Sequence, residues 1–431
     1  MNIEKEITTI IEREFQSLFN IYCWFHSNPE LSNHEENTAR TLCNELKTCG
    51  FEVIENIGGS GIVGIFKNGS GPTVIVRTEL DALPILEETD LSFRSQKFQL
   101  IDHKSFPVMH ACGHDLHLAC SVGVARICTE LRQYWSGTLI VIGEPSEETG
   151  SGARAMVLDN LFSKIPKPDY SFALHVDPDI FSGKVGFIHG TVSIGREIVT
   201  IKTVPIKDWN SFSFPQNNSF FSKIQLVLSR EFQKSVQFLQ LILLKCAIFC
   251  FQLQIKKIVR KYLNGENYFD IVSQIHYSRF FDPFEMVMIF CYSDKVAKEN
   301  FLKDLNDSLD QYLALFKLCN VFSGVVVRNE ASISPIINDS DLTHFAKKLG
   351  IQRLGNENVV TVFYLFGVDD YSVFLEHGMK NCFFKLGSGF HYRTKNFPLH
   401  SNRFNPDTEP ALKTGIDAMS YILLKTFQER P

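Results

Sequence analysis

Four short runs of apolar, β-branched or aromatic residues are each followed at once by side chains able to do chemistry. No other feature restricts the possible folds as strongly. Thr73-Val74-Ile75-Val76 leads to Arg77, Glu79 and Asp81, and Thr138-Leu139-Ile140-Val141-Ile142 leads to Glu144, Glu147 and Glu148. Tyr170-Ser171-Phe172-Ala173-Leu174 leads to His175, and Cys382-Phe383-Phe384-Lys385-Leu386-Gly387 runs into a glycine-rich loop that reaches His400. Helical stretches, such as 116–131 and 153–162, separate several of them. Buried strands alternating with helices imply an α/β layer architecture. Ligands in such sheets bind beyond the carboxyl ends of the strands, where groups distant in sequence can converge.

The flanking segments fit that plan. Ile3, Ile7, Ile10, Ile11, Phe15, Leu18 and Tyr22 recur at helical spacing,. A second helix is expected over 35–49, ended by Gly50, with strands at 51–54 and 62–66. Residues 193–330 mix strand-like pieces (198–204, 284–292) with helical ones (220–263, 297–316) and hold no ligand cluster. They read as an inserted smaller α+β domain, so the chain of 431 residues divides into a discontinuous catalytic domain, 1–192 with 331–431, and the insert 193–330,. The apolar segment 236–251 is shorter than the roughly 20 residues a membrane span needs and contains Lys245, which favours a buried or interface helix. A net charge of -5 gives no electrostatic case for nucleic acid or an anionic membrane,. Eleven cysteines without a spaced framework, and an acidic start without a signal-peptide core, point to free thiols in the cytoplasm,.

The chemistry concentrates in Met109-His110-Ala111-Cys112-Gly113-His114-Asp115-Leu116-His117 and in Glu144-Pro145-Ser146-Glu147-Glu148. Cys112 and His114 are two apart, so in an extended loop their side chains leave on one side, a workable chelate spacing. Thiolate, imidazole and carboxylate together suit zinc best, with manganese, cobalt and nickel as further candidates. Glu147 and Glu148, being adjacent, are expected to point in different directions, one to a metal and one to a reacting carbonyl. Gly387-Ser388-Gly389 reads as a turn. If Cys112, His114, Glu148, His175 and His400 meet, five ligands would overfill one four-coordinate ion but satisfy two ions sharing a bridge. Glu147 is then the natural proton shuttle, and Asp81 could orient a ligating imidazole.

HSNPELS at 26–32, RTELDALP at 77–84, MHACGHDLH at 109–117, EPSEETGSGARAM at 144–156, ALHVDP at 173–178 and PLHSNRF at 398–404 together resemble the aminoacylase/carboxypeptidase family of co-catalytic metallohydrolases. The nearest branch is the amidohydrolases that include hippurate hydrolases, indole-3-acetyl–amino acid hydrolases and N-acyl-amino acid deacylases. The resemblance covers about 1–192 and 331–431. It implies a metallo-exopeptidase-like domain, a mixed sheet flanked by helices, interrupted by a lid and dimerisation domain. It also implies two divalent metal ions on Cys112, His114, Glu148, His175 and His400, with Glu147 as general base and acid. The implied reaction is hydrolysis of N-acyl amino acids by a homodimer. A dipeptidase or carboxypeptidase is the runner-up, and a metal-binding scaffold without turnover the reading from another class.

The chain departs from the branch in places. Glu79 stands where Asp is usual, Glu144-Pro145-Ser146 where Gln-Pro-Ala is usual, and Gly367-Val368-Asp369-Asp370-Tyr371 only approximates Gly-Glu-Asp-Phe. In the insert the family's Gly-His-Ala, Asn-x-Ile-Pro and Gly-Thr-x-Arg motifs are not legible. Lys202-Thr203-Val204-Pro205-Ile206-Lys207-Asp208-Trp209 stands where the Gly-His-Ala histidine is expected, and Ile289-Phe290-Cys291-Tyr292 in place of Gly-Thr-x-Arg.

Overall fold

A computed structural model describes residues 3–205, 269–276, 285–293, 295–318, 322–363, 367–393 and 396–431. The apolar segment 236–251 and the helical stretch 220–263 lie outside the described residues. Among those described, no helix is long and apolar enough to cross a membrane. The chain divides into two compact units, Met1–Ser193 with Ile336–Pro431, and Ile194–Pro335.

The first unit opens with α1 (Ile3–Ser27), whose buried Ile7, Ile10, Ile11, Leu18, Tyr22 and Phe25 form the face expected from their spacing,. There follow α2 (Glu36–Thr48), β1 (Glu52–Ile57), β2 (Gly61–Asn68), β3 (Thr73–Glu79), the hairpin β4 (Phe98–Ile101) and β5 (Lys104–Pro107), and α3 (His114–Glu130). Then come β6 (Gly137–Glu144), α4 (Gly152–Leu158), α5 (Leu161–Lys164), β7 (Tyr170–Phe181) and β8 (Val185–Phe187). The second unit contains β9 (Gly195–Pro205), β10 (Phe269–His276), β11 (Glu285–Tyr292), α6 (Lys295–Leu318) and β12 (Phe322–Ile333). Its strands form an antiparallel sheet in the order β10-β11-β9-β12. The first unit resumes with α7 (Ser340–Leu354), β13 (Val359–Thr361), α8 (Ser372–Leu375), β14 (Lys380–Gly389) and α9 (Thr408–Glu429).

The first unit's sheet runs β1-β2-β6-β3-β7-β14-β8-β13. β6, β3, β7 and β14 are mutually parallel, while β1–β2, β2–β6 and β14–β8 pair antiparallel. This is the mixed α/β sheet expected from the four apolar runs. Successive residues of the central strands enter opposite cores. Val74, Val76, Leu139, Val141, Phe172 and Leu174 pack with Leu116, Leu118, Ile416 and Tyr421 on one side. Ile75, Ile140, Ile142, Ala173 and Phe383 pack with Met156, Leu161 and Phe374 on the other. Coverage of both faces explains why these runs are apolar throughout instead of alternating. α3 is buried from His114 to Ala125, as a helix held between the sheet and α1 and α9 must be,.

One expected turn is strand. Gly387, Ser388 and Gly389 belong to β14, and Gly389 pairs with Phe181. A Cβ on Gly387 would lie 2.1 Å from the Phe181 carbonyl oxygen, so glycine here permits close backbone approach instead of a reversal,.

Candidate metal centre

The parallel strands deliver their carboxyl ends to one edge, and the sequence-selected side chains meet there. Cys112 Sγ lies 3.4 Å from His175 Nε2 and 3.3 Å from His400 Nε2. His400 Nε2 is 3.5 Å from Glu148 Oε2. His114 Nε2 is 3.8 Å from Glu147 Oε2 and 3.9 Å from Glu148 Oε1. Cys112 belongs to two donor groups, one with His114 and His175 and one with Glu148 and His400. Within each group the donor atoms lie within 4.8 Å of one another.

Three local expectations are corrected. The Cys112–His114 stretch is not extended, because Gly113 adopts φ +79° and His114 opens α3. A Cβ at Gly113 would meet Val176 Cγ2 at 2.5 Å. His175 lies inside β7, not beyond its end. The adjacent glutamates do not simply diverge: the chain turns at Ser146 (φ +53°), and both approach His114 Nε2. Only then do they part, Glu148 toward His400 and Glu147 toward Asp369 and Asp370.

Hydrogen bonds fix which imidazole nitrogens can act as ligands. His114 Nδ1–H donates to the Asp81 carbonyl (2.9 Å), and His175 Nδ1–H to the Val176 carbonyl (2.8 Å). A carbonyl only accepts, so each ring presents the lone pair of Nε2 to the cluster. Asp81 contributes its side chain as well, with Oδ2 accepting the Glu148 N–H (3.0 Å) and the Ser32 hydroxyl (2.6 Å). His110 is buried too, and burial lowers its pKa to about 4, yet it enters no donor group among the described residues.

The electrostatics call for cations. Glu79, Asp81, Glu144, Glu147, Asp369 and Asp370 are all buried, with Glu148 nearly so. Burial opposes a proton on His114, but Asp81, Glu79 and Glu148 outweigh it and raise its pKa to about 10. Burial lifts Glu148 to about 7. Burial, with Asp369 and Glu148 beside it, pushes Glu147 well above the usual carboxylate range. His175 goes the other way, lowered by burial and by the neighbouring His117 and Lys385. His114 Nε2 and Glu148 Oε1 are buried and have no hydrogen-bond partner among the described residues. A cluster that draws a proton onto a buried imidazole, and leaves a nitrogen and an oxygen unpaired, fits divalent cations.

The family model for peptidase family M20/M25/M40 matches residues 75–425, well over half of the sequence. The chain belongs to this family. It is similar to the hippurate hydrolase of Campylobacter jejuni, 37% identical over 41% of this chain and 43% of the relative. It is also similar to an IAA-amino acid hydrolase, ILR1-like 2, of Arabidopsis thaliana, 26% identical over 81% of this chain and 72% of the relative. The YXEP protein of Bacillus subtilis, described as a dinuclear metal-binding peptidase from the M20 family, shares the fold. Its TM-score is 0.70 at 20% identity, covering 97% of this chain and 99% of that one. This M20 protein is therefore a hydrolytic enzyme with candidate ligands for divalent metal.

Around the donors lies a ring of residues whose contacts with one another were not legible in the sequence. Arg77, fully buried, donates to Glu144 Oε2 (Nε, 2.7 Å), to Asp369 Oδ1 (Nη2, 3.0 Å) and to Glu79. Glu79 Oε2 accepts from His117 Nδ1–H (2.9 Å), and His117 Nε2 accepts the Val176 N–H (3.0 Å). The Glu79 and Glu144 departures thus fall on partners of Arg77, and the approximate 367–371 motif supplies Asp369. Lys385 is buried opposite His175 in the β14–β7 register, and burial lowers its pKa to about 8. Only its position within an apolar run could have signalled it.

Proposed function

We propose that this M20 hydrolase cleaves the amide bond of N-acyl amino acids at a dinuclear centre held by Cys112, His114, Glu148, His175 and His400. The observation that carries the reading is Cys112, whose sulfur is common to two donor groups. Five donors around one shared sulfur suit two ions better than one. Divalent ions bound there would polarise the scissile carbonyl and lower the pKa of water.

The rest of the chemistry falls to the protein. Glu147 takes a proton from water and returns it to the leaving amine. Its carboxylate near His114, and its raised proton affinity, support that role,. Asp81 keeps His114 in the Nδ1–H tautomer and holds the Glu148 backbone. Relatives named hippurate hydrolase, IAA-amino acid hydrolase and N-acetyldiaminopimelate deacetylase support the acyl amino acid class. A thermostable carboxypeptidase of Saccharolobus solfataricus, 36% identical over 37% of the chain, favours a second reading in which small peptides are cut.

The test is a hydrolysis screen of metal-loaded enzyme over acetyl-, benzoyl- and indoleacetyl-amino acids, with dipeptides bearing a free α-amine alongside. Preference for blocked amines is expected, and preference for dipeptides selects the second reading. Glu147→Gln should keep its metals while kcat falls roughly 10²–10⁴-fold, the usual contribution of a general acid–base group. Unchanged turnover in that variant contradicts the assignment.

A further inference from the structure

The turn that presents the two glutamates holds a non-glycine residue in a costly conformation. Ser146 has φ +53°, in the left-handed region that L-residues with a side chain rarely adopt,. Glu35, just before α2 and wholly buried, holds it there. Glu35 Oε1 accepts the Ser146 N–H (2.8 Å), the Ser146 hydroxyl (3.1 Å) and the Asn33 N–H (3.0 Å). The Asn33 N–H also donates to Ser146 Oγ (2.8 Å). Two residues further on, Asp81 Oδ2 accepts the Glu148 N–H (3.0 Å). Two buried carboxylates therefore grip the amides of residues 146 and 148, and Glu147 is the residue between them. Beyond it, the Gly150 N–H donates to the Glu147 carbonyl (2.7 Å).

We infer that Glu35 is a positioning residue for Glu147, acting through Ser146. It touches no substrate and belongs to none of the donor groups among the described residues. The grip on the Ser146 amide holds the backbone in the rotation that directs the Glu147 carboxylate at the donor cluster. Without it, Ser146 is released toward ordinary right-handed or extended backbone, and the Glu147 carboxylate swings off His114. This inference rests on the proposed role of Glu147 as proton carrier.

The test is steady-state hydrolysis of N-benzoylglycine by the zinc-loaded full chain. Glu35→Ala should lower kcat roughly 10–100-fold, the scale of a 1 Å misplacement, with KM and metal content within about twofold of wild type. Glu35→Gln keeps an oxygen acceptor for the Ser146 N–H and should recover most of the lost kcat. A residue that merely stabilises the fold would lower the melting temperature and leave kcat of the folded enzyme alone. Should Glu35→Ala not fold, Glu35→Asp retains the charge on an arm one methylene shorter, with kcat expected to fall about tenfold. Wild-type kcat in the folded variant, or loss of metal in place of kcat, overturns the inference. If wild type turns over N-benzoylglycine and Glu147→Gln does not, only the role of Glu35 is then at stake. No turnover by wild type, or full turnover by Glu147→Gln, removes the proposed reaction and this inference with it.

Discussion

At the scale of single residues, Cys112 is the most telling group. Burial, Glu148 and Glu147 push its thiol well above the ordinary value, so near neutral pH it holds its proton until a cation replaces it,. Zinc added to metal-free chain in weak buffer should therefore acidify the solution, and metal affinity should fall as pH is lowered. Proton release measured by calorimetry in two buffers checks this, and binding without release counts against Cys112 as a ligand. Cys112→Ala should bind less metal, read by elemental analysis. The five candidate ligands and Glu147 were legible because cysteine, histidine and paired glutamates at strand ends are rare in combination. Glu35 and Lys385 were not, since an isolated acid or lysine carries no signal until its partner, often far along the chain, is known. Arg77 and Asp369 stood out in their own stretches, but their pairing across 292 residues did not.

At the scale of elements, His26 near the end of α1 joins three segments. Its Nδ1–H donates to Asp115 Oδ2 in α3 (2.7 Å), and its Nε2–H to Glu87 Oε1 in the segment between β3 and β4 (3.0 Å). Burial works against the charge, but Asp115 and Glu87 win and raise its pKa to about 9, while both acids are lowered. Because the folded pKa exceeds the unfolded value of about 6.5, the stabilisation is complete below pH 6.5. It is lost as pH rises through about 9. Urea unfolding should show stability falling across that window more steeply in wild type than in His26→Leu, in which His114 alone of the two raised imidazoles still titrates,. That variant should lose roughly 3–5 kcal/mol at pH 6, the cost of stranding buried charge. Gly113→Ala places a side chain at φ +79° against Val176, and should lower both melting temperature and metal content,. The central strands and α1 could be read because their periodicities are long. The three-residue strands β8 and β13 are too short to carry a period. Gly387-Ser388-Gly389 misled because glycine marks close backbone approach as readily as a turn.

At the scale of the whole molecule, the four parallel strands β6, β3, β7 and β14 form a frame whose carboxyl edge gathers groups from residue 35 to residue 400. This convergence follows from parallel order and two covered faces, both implied by uninterrupted apolar runs. Strand order itself was not legible, because β1, β2, β8 and β13 attach through pairings that leave no mark in composition. The proposed chemistry requires that Cys112, His114, Glu148, His175 and His400 bind two ions. Anomalous diffraction from crystals loaded with zinc tests it most directly. Two peaks flanking Cys112 Sγ are expected, about 3.5–4 Å apart as in other two-metal sites, one on the His175 side and one on the side of His400 and Glu148. A single peak, or strong peaks only at places remote from Cys112, would contradict it.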